Sequence, residues 1–92
     1  MRPSWYHTAF AVRHDFRFFD TVRQGQFEAL VRDLGGLSLL DATRAVDEGR
    51  VLLAGERYRW EPDLMIGRPF RDDAADVARV RDQTRFTVAA IK

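Results

Sequence analysis

The chain contains no cysteine, which excludes a disulfide scaffold, thiol chemistry and a Cys-based zinc site. Lysine is almost absent: Lys92 stands alone against fourteen arginines. No apolar run approaches the roughly 18 residues needed to span a bilayer, so no membrane partner is expected. The opening Met1-Arg2-Pro3-Ser4-Trp5 lacks the long apolar stretch of a secretory signal, and a cytoplasmic location is the expectation. Gly35-Gly36 lacks the lysine and the spacing of a phosphate-binding loop. The charge surplus is also small. A formal net charge of +1 falls short of the basic excess usual in proteins that grip nucleic acid through phosphates.

What is present suits one small globular domain. A chain of 92 residues has no room for two cores. Hydrophobic residues make up 46% and charged residues 32%, a folded rather than a disordered balance. Seven phenylalanines, two tryptophans and two tyrosines supply large side chains for a small core. A domain of this size buries about 60–65% of its unfolded surface, so self-association as a homodimer would add stability. The arginine excess has two readings. It suits contact with phosphate or planar partners, and it is also the codon signature of a GC-rich prokaryote or of a phage infecting one.

Local patterns divide the chain into short elements. Trp5 to Val12 alternates in strand-forming residues and reads as a strand. Between His14 and Gly25, Phe16 and Phe18 could prolong that strand. Phe19, Val22 and a cap at Asp15 or Asp20 favour a short helix instead, with Gly25 separating it from the next one. Phe27, Leu30, Val31 and Leu34 form the apolar stripe of a helix over Gln26–Leu34, stopped by Gly35-Gly36. Ser38 is placed to cap a second helix, Leu39 to Glu48, ended by Gly49. Arg50–Leu53 and Glu56–Trp60 then fold back around Ala54-Gly55 as a hairpin. Leu64-Met65-Ile66 is a possible third strand, Asp72 or Asp73 caps a helix to about Gln83, and Arg85 to Ile91 reads as a closing strand.

The segment Ala29 to Trp60 resembles the winged helix-turn-helix family. Ala29-Leu30-Val31-Arg32-Asp33-Leu34-Gly35 is similar to the family's second helix with its glycine stop. Ala45-Val46-Asp47-Glu48-Gly49-Arg50-Val51 looks like the end of a recognition helix entering the wing, and Gly55 to Trp60 like the returning wing strand. The resemblance covers about a third of the chain and implies nucleic-acid binding. Two departures stand against it. The helix from Ser38 to Gly49 is about one turn short, and Arg44 faces Asp41, Asp47 and Glu48, acids that repel phosphate. The rival α+β layout is a ferredoxin-like sandwich. It would place Trp5–Val12, Val51–Leu53, Tyr58–Trp60 and Arg85–Ile91 in one antiparallel sheet, with the two ends of the chain able to pair.

Candidate chemistry is sparse. Asp72-Asp73-x-x-Asp76 offers oxygens to a hard cation, but clustered acids at a helix start more often cap it. His7 and His14 with Asp15 could suggest a general base, yet Ser4 and Ser38 have no positional reason to be activated. The expectation is a single α+β domain without cofactor, metal or catalytic machinery, acting by binding another protein as an adaptor or inhibitor. Tyr58, Trp60 and Trp5 are the candidate anchors, because tryptophan, tyrosine and arginine dominate interfaces. The alternative is a winged nucleic-acid binder using Arg50, Arg57, Arg59 and Arg44.

Overall fold

The computed structural model describes residues 1–89 and shows an α+β domain with four helices and two small antiparallel sheets. In chain order the elements are α1 (Tyr6–Ala11), β1 (Phe16–Phe18), α2 (Thr21–Asp33), α3 (Leu39–Asp47), β2 (Val51–Leu53), β3 (Glu56–Arg57), β4 (Met65–Gly67), α4 (Ala74–Gln83) and β5 (Phe86–Val88). The single sheet of the ferredoxin-like layout does not form. Of its four strands, Val51–Leu53 and the described part of the closing strand do pair, as β2 and β5. But Trp5–Val12 is largely helical and Tyr58–Trp60 lies past the end of β3, while β1 and β4 form a separate pair. Nor, among the described residues, do the two terminal segments pair with each other. The Met1 backbone exchanges hydrogen bonds with Met65, while β5 lies against β2 with Val51 opposite Val88. Ala90 and Ile91, the end of the expected closing strand, lie outside the described residues.

The N-terminal segment corrects the expected strand. Tyr6 and Phe10 satisfy both a strand alternation and a helical i, i+4 stripe, so neither residue discriminates. Ala9 decides it. A strand would turn Ala9 away from Tyr6, whereas in α1 both are fully buried on one face. The strand comes later, at Phe16–Phe18, in register with Met65–Gly67. Phe18 and Met65 meet there as two of the most deeply buried side chains in the domain.

Gly25 does not divide two helices. Asp20 caps α2 by accepting the Arg23 N–H at 2.8 Å, and the helix runs through Gly25 to Asp33. The glycine serves packing. A Cβ there would sit 2.5 Å from Val80 Cβ and 2.9 Å from the Val77 carbonyl, so α4 crosses α2 at closer range than any side chain permits. Arg32, near the end of α2, donates to the carbonyls of Arg81 and Thr84, and the Asp33 carboxylate accepts the Phe86 N–H at 2.7 Å. These bonds fasten the end of α4 and the start of β5 onto α2.

Helix α3 and the hairpin turn form where the local signals place them, but the return strand is only Glu56–Arg57 and stops short of the expected Trp60. Ser38 Oγ accepts the Asp41 N–H, and Ala42, Ala45 and Val46 face inward. Ala54 and Gly55 both take positive φ, 53° and 82°, the two-residue turn whose twist matches paired strands. At α4 the expected cap is corrected. Asp73 occupies the capping position but makes no cap bond. Its carboxylate holds Arg17 through two bonds of 2.5 and 3.0 Å and accepts the Thr21 hydroxyl at 2.6 Å. Both charged side chains are about nine-tenths buried, so the bidentate pair ties α4 to the β1–α2 junction from within.

Two outcomes test this packing. Overpacking at the helix crossing costs about 2–3 kcal/mol, more than the roughly 1 kcal/mol that alanine gains over glycine in helix propensity. Gly25→Ala should therefore lower stability by about 1–2 kcal/mol in urea denaturation, and an unchanged midpoint would mean a looser α2–α4 crossing. The Arg17 guanidinium, and then the Thr21 hydroxyl, hold the Asp73 carboxyl down at about 2. Because the folded-state value is depressed, this stabilisation is complete above the ordinary value of 3.8 and is lost as pH falls from there towards 2. Melting temperature should drop across that window. Asp73→Ala should cost about 3 kcal/mol at neutral pH by leaving Arg17 buried and unpaired, and should flatten the acid limb.

Candidate functional site

A cleft of about 270 Å³ opens between the N-terminal segment, the end of α3 and the return limb of the hairpin. Its floor follows from Trp60. The indole lies edge-on to Tyr6, Phe18 and Phe27 with centroids 5.8–6.0 Å apart, and its Nε1 donates to the Pro3 carbonyl at 3.1 Å. That bond holds Ser4 and Trp5 beside the hairpin. Trp5 precedes α1 in extended conformation and is 53% exposed. Tyr58 continues the ladder one residue past β3 by donating its N–H to the Val51 carbonyl, and its ring packs edge-on against Phe86. Burial pushes the Tyr58 hydroxyl above its ordinary value, so it stays protonated at neutral pH.

The opposite wall is the end of α3. Gly49 takes φ 71° there, and the Arg50 N–H returns to the Ala45 carbonyl, the αL stop that glycine favours. Arg57 lies directly over this turn. A Cβ on Gly49 would stand 2.9 Å from both Cδ and Nε of Arg57. The glycine therefore sets the approach of the hairpin arginine to Asp47 and Glu48.

Residues from both sequence-derived sets meet in this one place. Trp5, Tyr58, Trp60, Arg57 and Arg59 line the cleft together. Arg50 and Arg44 do not line it. Arg50 is bound to Glu48 at 2.8 Å and reaches the Ala89 carbonyl, and Arg44 is exposed on α3. Sequence reasoning missed Asp47 and Glu48 as part of the site. Their charge was legible, but only the αL turn at Gly49 brings them across from Arg57 and Arg59. The cleft is thus amphipathic and nearly balanced, with aromatic faces, two arginines on one side and two acids on the other.

The remaining candidates are dispersed. Asp73 is held by Arg17, away from exposed Asp72 and Asp76. Among the described residues there is no group of three His, Cys, Asp or Glu side chains able to hold a metal ion. His7 lies within α1 and His14 beyond its end, both exposed. No helix of the described residues is long and apolar enough to cross a membrane. No protein-family model, curated protein or solved structure matches the chain.

The two tryptophans should separate in a mutational test. Trp60→Ala removes a half-buried ring from the aromatic cluster and should lower stability by about 3 kcal/mol. Trp5→Ala, at an exposed site, should change it by less than about 0.5 kcal/mol. Guanidinium denaturation of both variants checks this, and equal losses would make Trp5 a core residue.

Proposed function

We propose that this chain is a small non-catalytic binding protein that acts by occupying another protein, as an adaptor or inhibitor in the cytoplasm. The observation that supports this reading is the assembly of exposed Trp5 with Tyr58, Arg57 and Arg59 around one cleft. Trp, Tyr and Arg are the side chains over-represented at the energetic centres of protein interfaces. Trp5 and the Tyr58 ring offer apolar contact at low entropy cost, and Trp60 supplies a rigid floor. Arg57 and Arg59 can take carboxylates or carbonyls of a partner, while Asp47 and Glu48 can take its cations. A surface of both signs fits a protein partner better than a phosphate chain, which the two acids would repel.

The second reading, a winged nucleic-acid binder, is favoured by one observation. Arg57 and Arg59 sit exposed on the hairpin, and neither has a carboxylate partner within 4.0 Å among the described residues. Arg50 supports it less, because Glu48 already neutralises it.

Pull-down from the source cells with the purified chain, read by mass spectrometry, separates the two. For the protein reading, one partner is retained by the parent chain and by Arg44→Glu. Trp5→Ala and Arg57→Glu should each weaken it about thirtyfold, the loss of one interface anchor. Retention by those two variants alike would dismiss the cleft. In parallel, anisotropy of a labelled mixed-sequence duplex should stay flat even at low salt. Salt-sensitive binding weakened by Arg57→Ala and Arg59→Ala would instead favour the winged reading.

A further inference from the structure

A second concave surface lies on another side of the domain and shares no lining residue with the aromatic cleft. Two adjoining hollows of about 340 and 400 Å³ run between the end of α1, α2 and α4, with Arg13, Gln24, Glu28 and Arg81 common to both. Arg17, Phe70, Arg71, Ala74 and Val77 complete the larger one. Four arginines and one glutamate therefore line it.

The charges in this hollow are not equivalent. Arg17 is neutralised by its bidentate bond to Asp73. Arg81 is shared between Glu28 and Asp82 at 3.2 and 3.1 Å. Both Glu28 oxygens are engaged, one by Arg81 and the other by Gln24 Nε2 at 2.9 Å, so its charge is compensated within the wall. Arg13 and Arg71 differ from these. Neither has a carboxylate within 4.0 Å among the described residues. Each is nevertheless held in place. Arg13 stacks over the Phe10 ring at 3.7 Å and donates one Nη to the Phe10 carbonyl at 2.7 Å. Arg71 stacks over Phe19 at 4.7 Å and donates one Nη to the Phe19 carbonyl at 3.1 Å.

We propose that the hollow between α1, α2 and α4 binds a small phosphorylated anion through Arg13 and Arg71. A guanidinium has five N–H donors, and one bond to a carbonyl leaves several to meet phosphoryl oxygens. Stacking and the carbonyl bond immobilise both groups beforehand, which lowers the ordering cost on binding. A volume near 400 Å³ is that of a small-ligand site. Two fixed cations, neither with a carboxylate within 4.0 Å among the described residues, match the two or more negative charges of a phosphate ester or diphosphate better than a single carboxylate.

Inorganic pyrophosphate is the probe, titrated into the full chain by calorimetry and by amide chemical-shift mapping. Sodium acetate at matched ionic strength serves as the control. Saturable binding is expected, with shifts concentrated at Arg13, Gln24, Glu28 and Arg71, and with acetate much weaker. Arg13→Gln and Arg71→Gln should each weaken binding about tenfold, the loss of a charge-assisted bond. Arg57→Gln, in the other cleft, should leave it unchanged. No saturation by about 10 mM pyrophosphate, equal response to acetate, or shifts centred on Arg57 and Arg59 would each overturn the proposal. If either glutamine variant fails to fold, the shift map of the parent chain still decides.

Discussion

Trp60 is the joint on which both the core and the candidate binding cleft depend. Its ring closes an aromatic cluster built from α1, β1 and α2, elements far from it in sequence, and its Nε1 ties down the Pro3 carbonyl. Edge-to-face pairs contribute about 0.5–1.5 kcal/mol each beyond area burial, a large share of the stability a domain this small can have. The bond to Pro3 has a second effect. It fixes the chain just ahead of α1, so Trp5 is carried outward at a set position beside Tyr58. One buried contact thus determines where an exposed side chain stands. The same joint organises charge, since Arg23 lies 4.7 Å over both Phe18 and Trp60 while donating to the Glu61 carbonyl.

Arginine is used here as a structural side chain as often as a charged one. Arg17 bridges α4 to β1, Arg32 collects the carbonyls at the end of α4, and Arg23 covers an aromatic edge. The planar fork does what lysine cannot, bonding two acceptors at fixed geometry while its face stacks on a ring. Composition alone favours codon bias as the origin of the arginine excess. Whatever its origin, the fold has given several of these side chains carboxylate partners, and that separates Arg17, Arg32, Arg50 and Arg81 from Arg13, Arg57, Arg59 and Arg71, which have none within 4.0 Å among the described residues.

Elements set by local chemistry were legible in the sequence. The stop at Gly35-Gly36, the Ser38 cap, the turn at Gly49 and the Ala54-Gly55 hairpin need only neighbouring residues, and each lies where its signal placed it. Elements set by distant partners were not. Trp5–Val12 carries both periodicities, and only burial against α3 and Trp60 selects the helix. Gly25 reads locally as a break, but its function is to admit Val80, fifty-five positions along the chain. Asp73 reads as a cap because nothing in the sequence links it to Arg17. The candidate site was half legible for the same reason. Aromatic and basic residues of one hairpin announce themselves as a group and Trp5 is a candidate by its type, whereas Asp47 and Glu48 join them only through the fold.

A net charge of +1 conceals how unevenly the charge is distributed. On α3 the exposed acids Asp41, Asp47 and Glu48 outnumber Arg44, while the hollow beside α4 collects four arginines around one glutamate. The cancellation is therefore global and not local. At physiological ionic strength the screening length is about 8 Å, shorter than the domain, so a ligand at one surface senses the charges lining that surface more than the sum over the chain. A near-neutral total argues against a long phosphate backbone, which would have to lie across acidic and basic regions together. It does not argue against a compact anion that touches only the basic hollow, nor against a protein that matches both signs around the aromatic cleft. Charge balance thus selects the size and shape of the partner more than its sign.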